Sequence, residues 1–254
     1  MMKLGLVTYQ MAKDWDLPTI LGNCQAAAFE GVELRTGHAH GVEPTLNRSQ
    51  RAEVRRMFSG SPVQLVGLGS VCEYHSPDRA ELRRNIEQTK RFVDLAADLG
   101  AGGVKVRPNA LVEGVRPEQT LEQIGTALRE CGRYASGNGV QIRLEVHGRG
   151  TQRVASIRSI LDICAQPNVV ACWNSNAQEV VNGSIASDFA LLAGRIGLVH
   201  TRDMWAEGYP WRELFGLLKE SGYDGFTLIE GDPTDRPIED MKRQRAMWEE
   251  YQAA

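Results

Sequence analysis

The chain has 254 residues, 42% of them hydrophobic and 24% charged, with 26 glycines. That is enough apolar material for a sizeable core, and it excludes a disordered or low-complexity protein. Basic residues number 29 against 32 acidic ones, a formal charge of −3, so no overall positive field gathers phosphate backbones and nucleic acid is not an expected partner.

In chain order, eight short runs rich in Val, Ile and Leu begin near Lys3, Gly31, Val63, Gly103, Val140, Val169, Ile196 and Gly225. Each interval leaves room for one strand, one helix and two loops. The run from Val63 leads into Gly67-Leu68-Gly69-Ser70-Val71-Cys72, which lacks the third glycine of a dinucleotide fingerprint, so a nucleotide cofactor is unsupported. A helix is predicted over 78–99, where Leu82, Ile86, Thr89, Phe92, Val93 and Ala96 recur at three- and four-residue steps. Ser76-Pro77-Asp78 starts it and Gly100 stops it. Another is predicted over 117–134, with Pro117 in its first turn, Leu121, Ile124 and Leu128 on one face, and Gly137 beyond. No G-x-S-x-G elbow or phosphate-binding loop of the G-x-x-x-x-G-K-[ST] type occurs. Eight strand–helix alternations without a break in composition predict a single α/β domain over 1–254, a closed (β/α)8 TIM barrel rather than a doubly wound sheet.

Cys24, Cys72, Cys131, Cys164 and Cys172 are scattered and odd in number, with no C-x-x-C or zinc-knuckle spacing. They read as buried hydrophobes in a reducing compartment. No run reaches 18 apolar residues, and the stretch from Met1 to Tyr9 is not organised as a leader. The expectation is a cytoplasmic protein with no membrane partner.

Barrel enzymes place reacting groups at the carboxyl ends of the strands. Polar residues interrupt the apolar runs there: Glu33 and Arg35 on the second strand; Lys105, Arg107 and Asn109 around the fourth; Glu145 and His147 on the fifth; Asn174 and Asn176 on the sixth; His200, Arg202 and Asp203 on the seventh; Glu230 on the eighth. Side chains alternate faces with period two, so Glu145 and His147 share a face, as do His200 and Arg202. Glu145, Asn174, His200 and Glu230 come from consecutive strands at similar depth, in reach of one ion. Two carboxylates, an amide oxygen and an imidazole suit Mn2+ or Mg2+, with Zn2+ or Co2+ as alternatives. A dication also keeps two neighbouring buried acids ionised. The competing reading is a structural ion-pair network with Arg107, Arg143 and Arg202.

The runs Gly31-Val32-Glu33-Leu34-Arg35, Leu144-Glu145-Val146-His147, Cys172-Trp173-Asn174, Val199-His200-Thr201-Arg202-Asp203 and Leu228-Ile229-Glu230-Gly231 resemble the xylose-isomerase-like barrel superfamily, in particular its sugar phosphate isomerase/epimerase branch. The resemblance spans essentially the whole chain. It implies one divalent ion held by Glu145, position 174, His200 and Glu230. Where that branch has aspartate at 174 this chain has Asn174, and where a histidine often follows three residues later it has Ala177; both changes reduce the site's affinity for a cation. The resemblance further implies a small-molecule sugar or sugar derivative as substrate and a homo-oligomer, a dimer, as assembly.

On this reading Glu145 and Glu230 are the acid/base pair that moves a proton beside a carbonyl through an enediolate-like intermediate, and the ion polarises the carbonyl. His147 and Arg202 fix sugar hydroxyls, and Glu33 reaches the same mouth. Arg107 offsets an acidic mouth or meets a substrate anion. Asn176 lines the pocket or shapes the strand-six loop, and Trp173 and Trp205 are candidates for a sugar-stacking wall. The loop 204–210 is a lid or a rim contact. Two other readings use the same residues: a keto-sugar lyase or dehydratase, and a sugar-binding barrel without turnover whose ion site is degenerate at Asn174.

Overall fold

A computed structural model describes residues 1–253. Eight strands, β1 (Lys3–Val7), β2 (Gly31–Arg35), β3 (Gln64–Glu73), β4 (Gly103–Arg107), β5 (Gln141–Glu145), β6 (Val169–Asn174), β7 (Ile196–Thr201) and β8 (Phe226–Ile229), alternate with eight helices. The helices are α1 (Leu17–Ala26), α2 (Arg48–Ser59), α3 (Arg79–Leu99), α4 (Pro117–Ser136), α5 (Val154–Cys164), α6 (Ala186–Leu192), α7 (Trp211–Glu220) and α8 (Pro237–Ala253). Every strand pairs in parallel with the next and β8 pairs with β1, so the sheet closes into a barrel. Each strand begins within one residue of its apolar run. The caps of α3 act as the sequence indicates: Asp78 accepts the Ala80 amide, and Gly100 takes the left-handed conformation at φ 77°. Helix α4 runs two residues past Tyr134 before Gly137 caps it. All five cysteines are buried and unpaired, and no helix among the described residues is long and apolar enough to cross a membrane.

Period two sorts the strand residues into two environments. Leu4, Leu6, Val32, Leu34, Val104, Val106, Ile142, Leu144 and Val199 belong to the large apolar layer between sheet and helices. A separate small cluster of Val7, Val66, Cys172, Leu198, Phe226 and Leu228 lies inside the barrel. The rest of the interior is charged: Glu33, Lys105, Arg143, Glu145 and His200 are all buried there. Glycines make the space. A Cβ on Gly103 would come within 2.6 Å of Arg143 Nε, and one on Gly69 within 2.8 Å of Glu33 Oε1. The Gly67-Leu68-Gly69 run that fails as a nucleotide loop is thus barrel wall, kept bare so that charged side chains can cross the lumen.

Candidate active site

Strands β2, β4, β5, β6, β7 and β8 bring one layer of polar side chains together near their carboxyl ends. Single donor atoms of Glu145, His200 and Glu230 lie within 4.8 Å of one another. His200 is fully buried between two acids, its Nδ1 3.4 Å from Glu230 Oε1 and its Nε2 3.5 Å from Glu33 Oε1. Neither ring nitrogen has a hydrogen-bond partner. Burial disfavours the imidazolium, but Cys172, Glu33 and Glu230 around the ring outweigh it and hold the His200 pKa well above the ordinary value.

Glu145 is engaged from two sides. Lys105 Nζ donates to its Oε2 at 2.8 Å, with both side chains 5% exposed. Asn174 Nδ2 donates to its Oε1 at 3.2 Å. Burial would raise the Glu145 carboxyl, but the charges of Lys105, His200 and His147 more than reverse it, leaving the group ionised far below the usual carboxylate range. Lys105 moves the other way: burial pulls it down, and Glu145 and Glu33 bring it to above the ordinary lysine value. The pair is therefore a fixed ammonium–carboxylate contact at neutral pH.

This geometry fits a divalent ion in part. Two carboxylates and an imidazole with shielded, unpartnered nitrogens are suitable donors. Asn174, expected to offer a carbonyl oxygen, instead turns its NH2 to Glu145 and orients that carboxylate.

The remaining expected site residues divide. His147 has a shielded Nδ1 without a partner. Arg202 has an unpartnered Nε, and its guanidinium stacks on the Tyr209 ring at 5.7 Å. Four others are engaged within the chain. Glu33 is in the lumen and wholly buried beside His200, where its carboxylate supports the imidazole. Trp173 is wholly buried and faces outward, against Phe189 at 5.5 Å; its neighbour Asn174 faces inward, so period two turns the indole away from any sugar. Asn176 spends its side-chain NH2 on the backbone, donating to Val146 O at 2.8 Å, and its own backbone N–H donates to Glu179 Oε1 at 2.9 Å; it shapes the strand-six loop. Arg107 is bound by Glu73, whose other oxygen accepts Asn109 Nδ2 at 2.6 Å, so its charge is already met by an acid of the chain. Trp205 stacks under Arg243 of α8 at 4.6 Å.

Lys105, the closest partner of Glu145, stands out in the sequence only as a lysine inside the apolar run Gly103-Val104-Lys105-Val106. Glu73 and Glu179 have no comparable signal, because their partners lie far along the chain.

The loop after β7 is a rim contact. Tyr209 is buried, its hydroxyl donating to Glu179 Oε1 at 2.9 Å and accepting from Trp173 Nε1 at 3.1 Å. Burial pushes the Glu179 pKa from 4.5 up to about 8, against the hydrogen bonds from Tyr209 and Asn176. A raised folded-state pKa means stability present below the unfolded value and lost as pH rises through the folded one, here between about pH 4.5 and pH 8. Glu179→Gln removes that loss. Its thermal stability is expected to match wild type below about pH 4 and exceed it by roughly 5 kcal/mol at pH 9; a gap that does not change with pH would refute the assignment.

A family model described as xylose isomerase-like TIM barrel matches residues 21–251. Among solved structures, D-psicose 3-epimerase of Clostridium cellulolyticum H10 with D-tagatose superposes with a TM-score of 0.84 at 14% identity, covering 99% of each chain. The apo form of 3-keto-D-glucoside 4-epimerase from E. coli gives 0.82 at 14% identity, covering 98% of this chain and 100% of that one. The IolI protein with a bound zinc atom gives 0.82 at 16% identity, covering 99% and 98%. At these identities the likeness is one of fold.

Proposed function

The chain belongs to the xylose isomerase-like TIM barrel family, and we propose that it is a sugar or sugar-derivative isomerase/epimerase with Glu145 and Glu230 as its acid/base pair. The observation that carries this reading is the convergence of Glu145, His200 and Glu230 from three strands within 4.8 Å. The epimerases among the structural neighbours support it as relatives in fold, and the zinc-bound neighbour supports an ion in such a barrel.

Epimerisation beside a carbonyl requires a proton to leave one face of a carbon and return to the other. Glu145, kept ionised by Lys105, starts as a proton acceptor. Glu230 is the more accessible acid, its side chain 20% exposed, and exchanges its proton with the opposite face. A divalent ion, Mn2+ or Mg2+ by donor chemistry, would be held by Glu145, His200 and Glu230 and would polarise the substrate carbonyl. His200 is aimed by Glu33 on one side and meets Glu230 on the other. His147 and Arg202, both with unpartnered nitrogens, donate to substrate hydroxyls.

The test is a ketose panel in D2O with Mn2+ present, followed by NMR. Deuterium entering at the carbon beside the carbonyl, with formation of the epimer, supports the reading. Loss of water from the substrate assigns the chain to elimination chemistry instead, and binding without exchange assigns it to a silent sugar-binding barrel.

A further inference from the structure

Beyond the acid/base pair, the lumen carries its own positive charge. Three acids, Glu33, Glu145 and Glu230, share the lumen with Lys105, Arg143 and the His200 ring. Lys105 is the one in contact with the ion cluster: its ammonium lies 2.8 Å from Glu145 Oε2, and both side chains are almost completely removed from water. Arg143 sits on the same strand face as Glu145, held by Val66 O at 3.0 Å.

We propose that Lys105 is a built-in cation that competes with a divalent ion for Glu145, so that the cluster takes up metal weakly and exchangeably and keeps its shape when the ion leaves. This inference rests on the ion-binding reading above. Its first support is electrostatic. An ion bound to Glu145 would share that carboxylate with an ammonium in a low-dielectric interior, where like charges a few ångströms apart repel strongly. Its second is the donor set: Asn174 contributes no negative charge and presents an NH2 group to Glu145, so of the four positions expected to hold the ion only Glu145 and Glu230 are acids. Its third is the state without metal. A buried carboxylate with no partner is strongly destabilising, yet here Lys105 and Asn174 satisfy Glu145 from within the chain. Glu145 is thus satisfied without an ion, whereas the oxygens of Glu33 and the ring nitrogens of His200 have no hydrogen-bond partner.

The experiment titrates chelator-treated full chain with Mn2+ alone, by calorimetry, for wild type, Lys105→Gln and Asn174→Asp. Wild type is expected to bind more weakly than about 10 μM, and each variant at least tenfold more tightly. Melting temperatures supply a second readout. That of wild type is expected to be nearly the same in chelator and in Mn2+, whereas that of K105Q falls in chelator and recovers with Mn2+. Wild-type binding tighter than about 10 μM overturns the proposal even if K105Q fails to fold. Equal or weaker Mn2+ binding by folded K105Q overturns it too, while the ion site itself stands. If wild type and both variants bind no Mn2+, the ion falls along with the proposal, and the acid/base pair is then judged by deuterium exchange alone.

Discussion

Glu230→Gln is expected to lower epimer formation by at least a thousandfold, equivalent to about 4 kcal/mol of lost transition-state stabilisation. Glutamine keeps the shape and one acceptor oxygen but cannot take or return a proton. Because the Glu230 side chain is 20% exposed, it is not a main support of the fold, and the variant should melt close to wild type. Glu145→Gln should abolish turnover equally but also destabilise the protein, since it strands the buried Lys105 ammonium opposite a neutral amide; removing one partner of a buried pair costs about 3–5 kcal/mol. The two variants differ in a further way if each acid serves one face of the substrate. Deuterium should still enter one of the two epimers in the variant that keeps the acid on that side, while inversion is lost in both. Measurement is by NMR in D2O alongside thermal melts. Epimer formation near the wild-type rate in both variants would remove these acids from the mechanism.

The eight strands are legible because parallel barrel strands are covered on the outside by helices and read as dense apolar runs. The depth of a side chain in the lumen is not legible in the same way. Glu33 and Glu145 are both inward on their strands, but Glu33 lies wholly buried beside His200, and only the stagger between strands decides that. Trp173 was within reach of sequence logic. If Asn174 points inward, its neighbour must point outward, and period two alone excludes the indole from the mouth. The same alternation puts Lys105 on the inward face of β4, where a lysine between Val104 and Val106 has to find an acid. Arg107 and Asn176 could not be read. Their partners, Glu73 and the Val146 carbonyl, lie 34 and 30 residues away, and nothing local marks either contact.

Gly148→Ala should cost about 3–5 kcal/mol of stability, because two separate penalties fall on one residue. The backbone there has φ +96°, which an alanine adopts only with strain, and a Cβ would lie 1.8 Å from the Asn109 carbonyl oxygen. That carbonyl cannot simply retreat: it accepts Arg149 N–H at 2.9 Å, and Arg149 O accepts Leu111 N–H at 2.9 Å, so the loops after β4 and β5 are stitched together at this point. Asn109 in turn clamps Glu73. Displacing it loosens the rim above the Lys105–Glu145 pair and shifts His147, the residue next to the glycine, so turnover should fall with stability. Gly208→Ala is the matched control. Its φ is +84°, but no atom lies within 4 Å of the added Cβ, so it bears only the conformational strain, about 1 kcal/mol. At roughly 2–4 °C per kcal/mol for a chain of this size, Gly148→Ala should lower the melting temperature by about 6–20 °C and Gly208→Ala by about 2–4 °C. Equal losses in the two variants would mean that the close approach to Asn109 is not what fixes glycine at position 148.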